Sequence, residues 1–111
     1  MMSEFKGTAG AWRLLPEEVD KPYIRVRGTL LGSRYKIANI LTPVYENVHS
    51  READETRANA NLIAAAPDLL EELQLTLGAL REICFTCGAS RPESTIRRAE
   101  AAIAKALGET K

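Results

Sequence analysis

Apolar and polar positions alternate along the first half of the chain, as they do in β-strands with one buried face. Between residues 23 and 27 the alternation is strict, with Ile24 and Val26 on one side and Arg25 and Arg27 on the other. Glycine and proline interrupt this pattern and predict the turns that separate the strands. The predicted strands of an antiparallel sheet are residues 12–15, 23–27, 35–41 and 44–48.

From about Ala53 the chain changes to helix-forming residues, and the spacing of apolar positions becomes helical. We predict a first helical piece to about Ala65, a kink or restart at Pro67, and a loop over residues 84–90 before a last helix. Apolar side chains recur every three or four positions and form stripes that must be buried against another part of the protein or a second chain. The longer stripe is Leu62, Ala66, Leu69, Leu73, Leu77, Leu80 and Cys84, and the narrower one is Ile96, Ala99, Ile103 and Ala106.

These patterns predict an α+β fold in which a small antiparallel sheet precedes an antiparallel helical hairpin. A chain of 111 residues is the usual size of one domain. We therefore predict a single domain over residues 1–111, with a β-rich half at 1–50 and a helical half at 51–111. Because two slender helices leave much of the stripe uncovered, we expect a dimer or higher homo-oligomer joined through the helices.

Charge and hydropathy restrict the functions that this chain can have. Fifteen basic and fifteen acidic residues give a formal net charge of zero, so we expect no nucleic acid polymer as a partner, although a local basic patch is compatible with this balance. No segment is long and apolar enough to cross a bilayer, and the N-terminus lacks the pattern of a secretory signal. We expect a cytoplasmic protein without membrane contact.

Few residues of the chain suit catalysis or metal binding. The single histidine, His49, belongs to no readable catalytic triad, and no glycine-rich phosphate loop is present. Cys84 and Cys87 form a Cys-x-x-Cys motif, which is half of a zinc site and could be completed by His49 with another ligand, or by a second chain. Two ordinary thiols are the alternative that we favour. We therefore expect a protein that is not an enzyme and uses neither a cofactor nor a metal.

Arginine and asparagine side chains are the candidate ligand-binding groups. A guanidinium offers a planar fork to phosphate, and an asparagine amide can bind the edge of a base or ribose. Near a helix N-terminus, such groups act together with the partial positive charge of the helix. The candidate site is Arg25, Arg27, Arg57, Asn59 and Asn61. The alternative is that Arg25 and Arg27 form a solvated strand face and that Arg57 pairs with Glu52 or Asp54.

Residues 58–73 resemble a signature of small accessory proteins from tailed bacteriophages and prophages. They read Ala-Asn-Ala-Asn-Leu-Ile-Ala-Ala-Ala-Pro-Asp-Leu-Leu-Glu-Glu-Leu, and the signature is Asn-Ala-Arg-Leu-Ile-Ala-Ala-Ala-Pro-Glu-Leu-Leu-Glu-Ala-Leu. Residues 8–13 and 101–106 resemble the Thr-Pro-Gly-Pro-Trp opening and the alanine-rich last helix of those proteins, in the same order. The chain departs from them in two alanines in place of prolines before Trp12, in Asn61 where arginine is frequent, and in its cysteine loop.

The order of a sheet followed by two helices is also similar to the Thoeris anti-defence sponges of phages. Those proteins sequester cyclic ADP-ribose signals, and in some cases cyclic oligonucleotides, without cleaving them. The resemblance implies a phage protein that binds such a cyclic nucleotide in the host bacterial cytoplasm. The alternative is a protein-interaction module that inhibits a host defence complex or enzyme by direct binding, as anti-CRISPR proteins do.

Overall fold

The computed structural model describes residues 5–18, 21–30, 32, 35–41, 50–88 and 90–109. Three strands pair antiparallel in the order β1-β2-β3 and are followed by two helices, which confirms the predicted α+β class. The predicted strand at residues 44–48 lies outside the described residues. The elements are β1 (Trp12–Leu14), β2 (Tyr23–Gly28), β3 (Lys36–Leu41), α1 (Ser50–Cys87) and α2 (Glu93–Ala106).

Helix α1 runs without interruption for 38 residues, so the predicted restart at Pro67 is wrong, whereas the predicted kink stays a prediction. Proline removes one backbone donor and crowds the preceding turn. The three alanines before Pro67 are the strongest helix formers and favour continuation of the helix. The predicted loop over residues 84–90 is also wrong in its start, because α1 ends only at Cys87. Gly88 follows with φ +64°, a left-handed conformation that commonly ends helices.

The chain divides inside α1 into two compact units, with the boundary between Pro67 and Asp68. The unit of residues 7–67 contains the sheet and the first part of α1. Its apolar sheet face is the one predicted by the alternation, since Ile24 and Val26 are buried. The start of α1 contributes the fully buried Ala60 to this unit. The composition of the sequence changes near Ala53, well before the boundary between the units.

The other unit contains the predicted antiparallel hairpin of helices. Leu77 of α1 and Ile96 and Ile103 of α2 form its buried core, and half-buried residues of both helices pack against them. Arg81 and Glu100 join the two helices at 2.9 Å. Pro92 precedes the first residue of α2, where proline is well tolerated, so the predicted start of this helix is confirmed.

The apolar stripe of α1 is covered only in part by α2. Leu73 and Leu80 pack against the core around Leu77. In the N-terminal direction, Leu62 and Leu69 remain 62% and 52% exposed. An oligomer that covers these side chains stays a prediction.

Candidate functional site

A groove of about 390 Å³ lies between the apolar sheet face and the first part of α1, within the unit of residues 7–67. The sheet side supplies apolar walls, whereas α1 supplies a guanidinium and an amide. Small-molecule sites usually combine apolar walls with a few convergent polar groups. The lining residues are Leu14, Leu15, Pro16, Glu17, Ile24, Arg57 and Asn61.

The local sequence explains how the sheet side of this groove forms. Leu15 follows β1, and its backbone N–H donates to the carbonyl of Arg25 in β2 at 3.0 Å. Pro16 has no N–H to continue the ladder, so the chain leaves the sheet there. Glu17 is thereby placed at the rim of the groove, opposite Arg57.

The helix side of the groove follows from helical periodicity. Arg57 and Asn61 are four residues apart and therefore lie on the same side of α1. Both line the groove, and their role as ligand-binding groups stays a prediction. Asn59 lies between them in sequence, is exposed, and is not among the lining residues.

Arg57 is held by two carboxylates. Its Nε and Nη2 donate to the two oxygens of Glu17 at 3.0 and 3.4 Å, and its Nη1 donates to Asp54 Oδ1 at 3.3 Å. The carboxylate of Glu17, and secondarily that of Asp54, raises the pKa of Arg57 above its ordinary value. The contact with Asp54 confirms one of the two partners that the sequence predicted for Arg57. The contact with Glu17 was not predicted, because Glu17 lies 40 residues away in the sequence. Two carboxylates against one guanidinium leave one negative charge at this rim.

The structure separates the sheet arginines from the groove. Along β2 successive side chains point to opposite faces, so Arg25 projects away from the groove that Ile24 lines. Arg25 Nη2 donates to Glu18 Oε1 at 2.6 Å and to the Pro16 carbonyl at 3.3 Å. The candidate residues of the sequence therefore fall on two surfaces and not on one.

Arg27 is the most unusual of the predicted site residues because it is 7% exposed. The interpretation of a solvated strand face is wrong for this side chain. Its Nη1 donates to the carbonyls of Val26 and Ala38 at 2.8 and 3.1 Å, and its Nη2 donates to Asn39 Oδ1 at 3.0 Å. All three acceptors are uncharged, so they satisfy the donors without neutralising the charge.

Two basic residues near Arg27 were missed in the sequence. Arg13 lies directly opposite Arg27 across the β1–β2 pair, and Lys36 lies opposite it across the β2–β3 pair, next to an irregularity in the register. Strand alternation alone does not reveal that Arg13, Arg27 and Lys36 lie side by side, because their proximity depends on how the three strands are aligned. A correct hairpin register would have found it.

The two cysteines are free thiols, with Cys84 buried and Cys87 exposed. In the part of the chain that the structure describes, no three His, Cys, Asp or Glu side chains group together as metal ligands would. His49, the third ligand considered from the sequence, lies outside that part. No described helix is long and apolar enough to span a membrane.

Comparison with models of protein families matches nearly the whole chain. A family model described as Salmonella phage P22 protein Y8K6 matches residues 1–110. No curated protein and no solved structure matches the chain significantly. The matched range includes the groove and both faces of the sheet.

Proposed function

The chain belongs to the family of Salmonella phage P22 protein Y8K6, and we propose that this phage protein sequesters a cyclic nucleotide immune signal in the groove without cleaving it. The ligand would be of the cyclic ADP-ribose type or a cyclic oligonucleotide, bound in the host cytoplasm without a cofactor. The observation that carries the proposal is the convergence of Arg57 and Asn61 on an apolar groove of about 390 Å³.

Each side of the groove suits a different part of a nucleotide. A base can lie against the apolar wall that contains Leu15 and Ile24. The amide of Asn61 has both donors and an acceptor, so it can bind the edge of that base. The guanidinium of Arg57 can bind a phosphate through two parallel hydrogen bonds.

Phosphate binding requires Arg57 to exchange its present partner. Arg57 and Glu17 are 51% and 47% exposed, and half-exposed ion pairs contribute little to stability because water competes with both partners. A phosphate presents oxygens to the same fork that Glu17 occupies. Glu17 therefore competes with the ligand, and the negative rim limits the affinity of the groove.

The ligand is expected to leave the groove unchanged. Hydrolysis of a phosphate ester needs a placed base, acid or metal. Among the described lining residues, Glu17 is the one carboxylate, and it is bound to Arg57. This arrangement favours storage of the ligand over chemistry.

The test is calorimetric titration of the protein with glycocyclic ADP-ribose and a panel of cyclic oligonucleotides. Arg57→Ala should weaken binding by about tenfold to a hundredfold, since it removes a charge-assisted contact. Arg98→Ala is the matched control, because it removes an exposed arginine of α2 and should leave affinity unchanged. Equal losses in the two variants would contradict a site at Arg57.

The exposed apolar side chains of α1 favour contacts with other protein chains, either copies of this chain or a host protein. Leu62 and Phe85 are 62% and 89% exposed, and Leu69, which follows Leu62 along the stripe, is 52% exposed. We propose that Leu62 and its neighbours along the stripe join copies of the chain into a dimer or higher oligomer. If no nucleotide binds, inhibition of a host defence complex or enzyme through such surfaces becomes the better account.

A further inference from the structure

The sheet face opposite the groove concentrates positive charge. We name it the basic face and define it by residues from all three strands, namely Arg13, Arg25, Arg27, Lys36 and Asn39. We infer that the basic face binds single-stranded nucleic acid through its phosphate backbone. This inference is independent of the nucleotide groove, which lies on the other side of the sheet.

The strand register places three cations in one row. Arg27 has Arg13 on one side and Lys36 on the other, and neighbouring strands are about 4.8 Å apart. Like charges directly opposite each other destabilise a sheet. A bound polyanion would remove this repulsion, so the row is better suited to a ligand than to stability.

The charge of this row is not neutralised by its surroundings in the described residues. Arg27 is buried against uncharged acceptors. Arg13 and Lys36 are exposed, and neither forms an ion pair with a residue that the structure describes. The buried charge of Arg27 can attract phosphates through its electrostatic field, whereas the exposed side chains of Arg13 and Lys36 can contact the phosphates directly.

Glu18 is the carboxylate that pairs with this face among the described residues. It binds Arg25 at 2.6 Å and is shared with Lys21 at 2.7 Å. The hydrogen bond from Lys21, followed by the charge of Arg25, lowers the pKa of Glu18, so this group stays ionised. Even with Glu18 ionised, the four cations of the basic face exceed the single carboxylate.

The shape and chemistry of the basic face favour a single strand over a duplex. Six residues of β2 at about 3.3 Å each give a strip of about 20 Å along the strand. A flexible strand can follow such a strip, and Tyr23 on the same face of β2 offers a ring for base stacking. Asn39 accepts from Arg27 with its oxygen and keeps its amide N–H groups for a phosphate or base.

The zero net charge of the chain concealed this feature in the sequence. Equal numbers of acidic and basic residues predict no general attraction to nucleic acid. The fold, however, gathers basic residues from three separate segments onto one side of the sheet. Local charge, not net charge, decides whether a backbone of phosphates is bound.

Fluorescence anisotropy with a labelled oligothymidylate of about 12 nucleotides at about 50 mM salt tests the inference. The double variant Arg13→Ala with Lys36→Ala should bind at least about tenfold more weakly. It should also reduce the slope of log K against log salt by about 1.4, the release expected for two phosphate contacts. Because both side chains are exposed, circular dichroism should stay unchanged, and the melting midpoint should not fall, since the variant removes two like charges beside Arg27.

The matched control is Arg97→Ala with Arg98→Ala, which removes two exposed charges from α2 and should change affinity less than about twofold. Absence of binding by the wild-type protein, or equal losses in the two double variants, would overturn the inference. If polyglutamate binds as tightly as the oligothymidylate, the partner is an acidic protein and the inference is wrong. If a DNA duplex binds as tightly as the oligothymidylate, the preference for a single strand is wrong. Arg57→Ala should bind the oligonucleotide like the wild type, which separates this test from that of the groove.

Discussion

Glu17→Gln should strengthen the binding of a phosphorylated ligand, although it removes a contact seen in the structure. Glutamine preserves the size of the side chain and abolishes its charge. Glu17 now occupies the fork of Arg57 at 3.0 and 3.4 Å. The substitution therefore leaves Arg57 available and changes the rim from one negative charge to none.

The size of the expected gain in affinity follows from the solvent exposure of Glu17 and Arg57. Two unit charges about 4 Å apart in water interact by about 1 kcal/mol, which corresponds to about fivefold in affinity. Salt screens part of this repulsion because the rim is open to solvent. We expect a gain of about twofold to fivefold for a ligand with one phosphate, and a larger gain for one with two.

Calorimetric titration at low and at physiological salt measures this gain. The advantage of Glu17→Gln should shrink as salt rises, since its origin is electrostatic. Asp54→Asn is the comparison, because it removes a charge from the same rim at 73% exposure but leaves Glu17 in the fork of Arg57, so it should gain less affinity than Glu17→Gln. Weaker binding by Glu17→Gln would refute the exchange of partners and would mean that Glu17 orders Arg57 for the ligand.

The remaining predictions concern the core, the assembly and the thiols. Leu77→Ala should destabilise the helical hairpin by about 2–5 kcal/mol because Leu77 is 2% exposed, whereas Leu75→Ala, at 60% exposed, should change thermal unfolding little. Leu62→Glu should split the oligomer and keep the fold, and light scattering that gives the wild type the 12.2 kDa mass of one chain would contradict the assembly. Elemental analysis should find less than one zinc per chain, and a stoichiometric content that disappears in Cys84→Ser would show a metal site.

Local features of the fold could be predicted from the sequence. The alternation of Ile24 and Val26 with charged residues identified β2 and its buried face. Pro92 marked the start of α2, and the spacing of Arg57 and Asn61 placed both on one side of α1. Each of these depends on a few neighbouring residues and on a fixed period.

Features that depend on distant parts of the chain could not be predicted in this way. The pairing of Arg57 with Glu17 joins residues 40 positions apart, and the row of Arg13, Arg27 and Lys36 depends on strand register. The continuation of α1 through Pro67 shows that a local break signal can be outweighed by a strong helical context. The burial of Arg27 likewise depends on acceptors from two strands.

The most direct test of nucleotide sequestration is recovery of the ligand from its complex. The wild-type protein is saturated with the tightest cyclic nucleotide of the calorimetric panel, separated from free ligand and denatured by heat, and the released compound is identified by mass spectrometry. The account predicts the intact cyclic nucleotide, with a raised melting midpoint of the protein before denaturation. A hydrolysed product would show an enzyme, and the absence of both ligand and stabilisation would contradict the groove as a nucleotide site.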